Sequence, residues 1–239
     1  MLGAMQYVPA GSAPTALPTP EQMDRWTRRC SPPDNEVPHG VPASVLLART
    51  DTLAIAITGM SVYTTGVSIE VAVRLRDTPP GVNSRDLHQM LGGHRFPDDS
   101  GPDRRLLLGV EFSDGRTADN IDGRPLPATI NNNDEIPLLS PNRGSGGEGR
   151  HDQTYWLSPV PPDGPLVVVC AWPALGIAET PHVLAQPDLT TASAHALVLW
   201  PRTLPSQRST QPPPPPQMPE GSWFTTAAHK PKTNPGESF

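Results

Sequence analysis

Seven histidines, two cysteines and several acidic turns are the residues of this 239-residue chain with the chemistry to hold a metal or move a proton. Their spacing argues against most such uses. His88 and His94 are the closest pair, but Gly92-Gly93 lies between them, so they cannot share one face of a helix. His151-Asp152 puts an imidazole beside a carboxylate just after a glycine-rich run, and a small hydrolase or metal-dependent enzyme would use that step as its acid or base. Gly144-Ser145-Gly146 lacks the spacing and the preceding strand of a serine nucleophile elbow. Both lysines lie beyond residue 229, so no phosphate-gripping Gly-x-x-x-x-Gly-Lys exists. Asp98-Asp99-Ser100-Gly101-Pro102-Asp103 and the turn from Asp114 to Asp122 do not follow the alternating carboxylates of a calcium loop, and local Asp hydrogen bonding accounts for them. The sequence assigns no catalytic residue, no metal ligand and no cofactor.

Binding is the better-supported expectation. Residues 124–153 read as a long Gly- and Asn-rich loop, and long loops on a rigid scaffold usually carry function. Arg143, Arg150, His151 and Asp152 lie on it, and Tyr155 and Trp156 follow directly. Strand alternation sends those two aromatics to opposite faces, so one of them is expected at the surface. Core packing is the ordinary use of Trp172 and Trp200, which sit in or beside apolar strands. The expected function is a non-enzymatic binding or protein-interaction module whose partner is another protein, engaged through residues 124–153. The alternative is the enzyme built on His151 and Asp152.

Several elements must position these residues. Residues 53–64 and 67–76 read as the two arms of a hairpin. Leu53, Ile55, Ile57 and Tyr63 are expected on one face of the first arm, with Ala54, Ala56, Met60 and Val62 on the other. In the second arm Val67, Ile69, Val71, Val73 and Leu75 alternate with Ser68, Glu70, Ala72, Arg74 and Arg76, the pattern of a strand with one wet face. Ser84 to Leu91 reads as a short helix. Leu106, Leu108, Val110 and Phe112 point inward on a strand that ends at the Asp114-Gly115 turn. Residues 154–158, 166–172 and 196–200 complete the strands, and Asp188 caps a short helix before the last of them. The fold class is therefore all-β: one antiparallel β-sandwich or open barrel with one or two short helices.

Composition limits the rest. Of 33 prolines, 17 fall in residues 1–42 and 203–239, which marks the two ends as disordered tails around one domain at 35–202. Residues 1–34 carry one local signal, a capping box at Thr19-Pro20-Glu21-Gln22 that opens a possible helix over 20–29. The five prolines at 212–216 have polyproline II character. A net charge of −6 without a basic stripe excludes nucleic acid. No apolar run is long enough for a membrane span and no leader is recognisable, so the expected location is the cytoplasm.

Glu111-Phe112-Ser113-Asp114-Gly115, Tyr155-Trp156-Leu157-Ser158-Pro159, Cys170-Ala171-Trp172-Pro173 and Val198-Leu199-Trp200-Pro201 together resemble an uncharacterised family of β-rich proteins from high-GC bacteria. The resemblance spans about residues 38–201. It implies a bacterial cytoplasmic β domain and transfers no activity and no site residue.

Overall fold

A computed structural model describes residues 18–77, 90, 104–130, 132–147, 149–184 and 188–203. The expected helix at 84–91 lies outside these except for Met90, and so do residues 1–17 and 204–239 of the expected tails at 1–34 and 203–239.

The strands form antiparallel sheets, none closed into a barrel. Twelve are described: β1 (Glu36–Val37), β2 (His39–Val41), β3 (Val45–Arg49), β4 (Leu53–Tyr63), β5 (Gly66–Leu75), β6 (Leu107–Glu111), β7 (Thr117–Asp119), β8 (Leu138–Gly147), β9 (Arg150–Ser158), β10 (Leu166–Trp172), β11 (Ile177–Leu184) and β12 (Leu197–Val198). The large sheet runs β2-β4-β5-β9-β8, with β3 also paired to β4; the small sheet runs β11-β10-β6-β7; and β1 with β12 makes a separate ribbon. Two helices accompany them, α1 (Pro20–Cys30) and α2 (Leu189–Ala194).

One hydrophobic core joins the two larger sheets. Val67, Ile69, Val71 and Val73 face it from β5, and Leu106, Leu108, Val110 and Phe112 face it from β6 and its flanks, in the phase the alternation predicts. Leu166, Val168, Cys170 and Trp172 meet them from β10, which lies between β11 and β6. Asn120 ties off the small sheet, accepting from the Leu108 amide and donating to the Leu106 carbonyl, both at 2.9 Å.

Strand β4 departs from simple alternation. A bulge at Thr58, between Ile57 and Gly59, shifts the pairing with β5 by one residue. An extra residue reverses the phase, so Met60 and Val62 join Leu53, Ile55 and Ile57 in the core, and Tyr63 lies half-buried on the other side. The expected division of β4 holds only as far as Ile57.

The fold also begins earlier than Asn35. Helix α1 carries the expected capping box, with Thr19 Oγ1 accepting from the Gln22 amide at 3.2 Å and Gln22 Oε1 from the Thr19 amide at 2.8 Å. Its arginines dock it. Arg29 is buried and donates to the backbone carbonyls of Asn133 (2.6 Å) and Ile136, while Trp26 Nε1 donates to Pro125 O at 2.6 Å. The Arg124 guanidinium stacks on the Trp26 ring at 4.1 Å. Asp24 pairs with Arg202 at 2.9 Å, fastening the other end of the chain to the same helix. Cys30, expected in a tail, is buried where α1 meets β8.

Residues 124–153 are likewise not a loop. Their first half is the platform that receives α1, with a 3-10 turn at Pro127–Thr129. Their second half is β8 and the start of β9, a hairpin. Its glycines misled the expectation for a packing reason. A Cβ on Gly144 would lie 2.5 Å from Gln153 Oε1, and one on Gly146 would lie 2.6 Å from His151 Nδ1. The large side chains of β9 fill the space that side chains on β8 would occupy.

The last strand is shorter than residues 196–200. Only Leu197 and Val198 pair, with Val37 and Glu36, and Trp200 is exposed rather than part of the core. Among the described residues no second sheet covers the ribbon.

Candidate binding groove

The outer face of the large sheet, away from the core, holds most of what the sequence nominated. Alternation along β9 turns Arg150, Asp152, Thr154 and Trp156 outward, and His151, Gln153, Tyr155 and Leu157 inward. His151 and Asp152 therefore face opposite sides of the sheet. An acid–base pair has to reach one reacting atom, so these two side chains do not form one.

Both aromatics are fully buried, against the expectation that one is exposed. Tyr155 sits in the core, where burial pushes its hydroxyl pKa well above the ordinary value. Trp156 faces outward but is covered. Its ring meets Tyr63 edge-on at 5.5 Å and lies so close to Gly66 that a Cβ there would be 2.6 Å from the indole. Ser140, its partner on β8, lies against Cys30 of α1. The cysteines are poor nucleophiles for the same reason: burial raises the Cys30 thiol pKa and pushes that of Cys170 up to about 12.

What remains on the open half of this face is a groove. The β4 bulge at Thr58 stands opposite Glu70 and Val71 of β5, which pair with Thr154 and Gln153 of β9. Those two lie opposite a second bulge, on β8 between Pro141 and Gly144. Two bulges thus align across four strands, and the backbone recedes between them into a recess of about 520 Å³. Thr154 fixes the second bulge: its hydroxyl bonds both the amide and the carbonyl of Arg143, each at 3.0 Å. Bulges commonly re-aim side chains beside functional sites.

Thr58, Glu70, Arg143, Ser145, Asp152 and Thr154 supply the polar walls. Gln153 borders the recess through its backbone, while its buried side chain lies on the inner face against Gly144. Asp152 is held by Arg74 at 2.7 Å and by Arg150 at 2.9 Å. Arg74 and Arg150 are direct cross-strand partners, and Asp152 offsets the repulsion between them. Of the nominated residues the structure brings Arg143, Arg150 and Asp152 to the open half of this face, covers Trp156 on its other half, and turns His151 and Tyr155 inward. Thr58, Glu70, Ser145 and Thr154 were missed. The signal for them was the phase slip in β4, where apolar residues pass from 53, 55 and 57 to 60 and 62.

Asp152 carries a pH prediction. Burial raises its carboxyl pKa, but hydrogen bonds from Arg74 and Arg150 outweigh that and hold it below the ordinary value. A depressed carboxylate pKa stabilises the fold above the unfolded value, and that contribution is lost as pH falls through the folded one. Asp152→Asn should cost about 1 kcal/mol or less at neutral pH, as exposed pairs do, and nothing near pH 2. Urea unfolding of both proteins at the two pH values checks it.

No protein-family model matches the sequence, and neither a curated protein nor a solved structure matches it. Among the described residues no helix is long and apolar enough to cross a membrane, and no cluster of three or more His, Cys, Asp or Glu has metal-binding geometry.

Proposed function

We propose that the protein is a non-enzymatic binding module that holds an extended segment of another protein in the groove on the outer face of the large sheet. The alignment of the two bulges carries this reading. It makes a recess in a face that would otherwise be flat.

The groove favours a peptide over a compact ligand. Its walls carry hydroxyls and charges of both signs, Glu70 and Arg143, which suit the main-chain and side-chain groups of a peptide. It runs beside β8, an edge strand that pairs only with β9 among the described residues. Gly144 to Gly147 keep that edge free of bulky side chains, so an extended chain fits alongside by strand addition. Both cysteines are free thiols, which suits a reducing compartment such as the cytoplasm.

Filling the groove tests the proposal. Ser145 faces outward and makes no hydrogen bond that the fold needs, so Ser145→Trp should leave the melting temperature within a few degrees of the parent. On an array of extended, proline-free peptides, the parent should retain a subset that Ser145→Trp and Arg143→Glu bind at least about tenfold more weakly. Peptide binding that survives both changes refutes the groove. An array with no binder refutes the peptide.

A further inference from the structure

The ribbon of β1 and β12 breaks the rule that apolar strands are covered. Val37, Leu197 and Leu199 share one of its faces and are 45%, 62% and 49% exposed; Val198 and Trp200 share the other at 58% and 57%. Both faces are thus apolar and open. A two-stranded ribbon is only marginally stable in water without a layer over it. This one is held from below, by Asn35, which is buried and whose carbonyl accepts from the Leu199 amide at 2.9 Å while its side chain donates to Trp200 O at 2.8 Å.

The register shows which backbone groups are spare. Leu199 bonds Asn35, so Leu197 is the next residue to face β1 through its backbone, and Val198 between them directs its amide and carbonyl to the free edge. Charge is almost absent. Glu36 is the one ionisable residue of the ribbon, and its carboxylate is occupied by the Thr64 amide at 2.9 Å and hydroxyl at 2.6 Å. A charged partner finds nothing to pair with here. An apolar strand edge fits, and the ribbon is itself such an edge.

From this we infer that the β1–β12 ribbon is a self-association surface, on which a second copy of the chain pairs its β12 antiparallel to the first about a twofold axis near Val198. Antiparallel pairing of a strand with its own copy is an isologous contact and closes at two. The pairing extends each ribbon to four strands and brings Leu197, Leu199 and Trp200 of each copy against the other. The exposed apolar area is about 500 Å² per copy, near the lower limit for a specific interface, so the dimer is weak, with a Kd on the order of 10 µM. This inference does not rest on the groove, which lies on the large sheet.

Sedimentation equilibrium on the full chain, from about 1 to 200 µM, tests it. The parent should pass from monomer to dimer within that range. Leu197→Asp places a charge at the interface, and Val198→Pro removes the outward amide without breaking a bond inside the ribbon. Each should raise the Kd at least about tenfold. Melting temperatures at the dilute end should stay within a few degrees of the parent, which shows that the variants fold. Ser145→Trp, in the groove, should dimerise like the parent. A parent that stays monomeric throughout overturns the inference; slow amide exchange at Val198 in that monomer would mean that another segment of the same chain covers the ribbon. A dimer indifferent to both ribbon variants, or one abolished by Ser145→Trp, overturns it too.

Discussion

Val71→Asp should leave the protein unfolded at room temperature, while Arg74→Ser at a position three residues away should cost less than about 1 kcal/mol. Both residues belong to β5 and differ only in the face they occupy. Val71 is buried in the shared core between Ile69 and Val73, opposite Ile57 of β4. An aspartate there has no cation within the apolar cluster, and burying an unpaired carboxylate costs several kcal/mol even after it takes up a proton. That is of the order of the whole stability of a domain. Arg74 lies on the outer face, about half exposed, and its pair with Asp152 is a surface pair. Urea unfolding followed by tryptophan fluorescence reads both. Equal losses would place β5 in the wrong register.

The second large effect concerns α1. A fragment starting at residue 35 should be less stable than one starting at residue 18 by several kcal/mol, and Arg29→Ala alone should cost about 3 kcal/mol. Arg29 is buried and answers two carbonyls, those of Asn133 and Ile136, with Asp134 at 3.6 Å. Alanine removes the Arg29 donors from those acceptors and opens a void beneath the helix. Removing the whole helix also uncovers Cys30's site on β8 and takes Trp26 from under Arg124. Circular dichroism melts of the two fragments and the point variant settle the matter. A fragment starting at residue 35 that melts with the longer one would return α1 to the status of a tail.

The proposed binding surface lies away from residues 124–136 for the same reason that the helix matters. Residues 124–136 are engaged by Arg25, Arg29 and Trp26, so they are not available as a recognition loop. The groove proposed as the binding surface lies on the open half of the outer face, since α1 covers the half that contains Trp156.

The sequence by itself determined the all-β class, the inward set of β5 and β6, the Asp114-Gly115 turn, the capping box of α1 and the Asp188 cap of α2. These depend on period-two alternation or on contacts within three or four residues, which the chain states locally. It put Arg143, Arg150 and Asp152 on one short segment, but that the segment is a hairpin came from the structure. Tertiary structure alone decided where the glycines of β8 belong, since the space they leave is filled by His151 and Gln153 across the strand pair. It decided that α1 docks, through arginines whose partners lie about a hundred residues away. It buried Trp156 and exposed Trp200, although both follow apolar residues. Periodicity assigns a face to a side chain; only the layer packed on that face decides whether water reaches it.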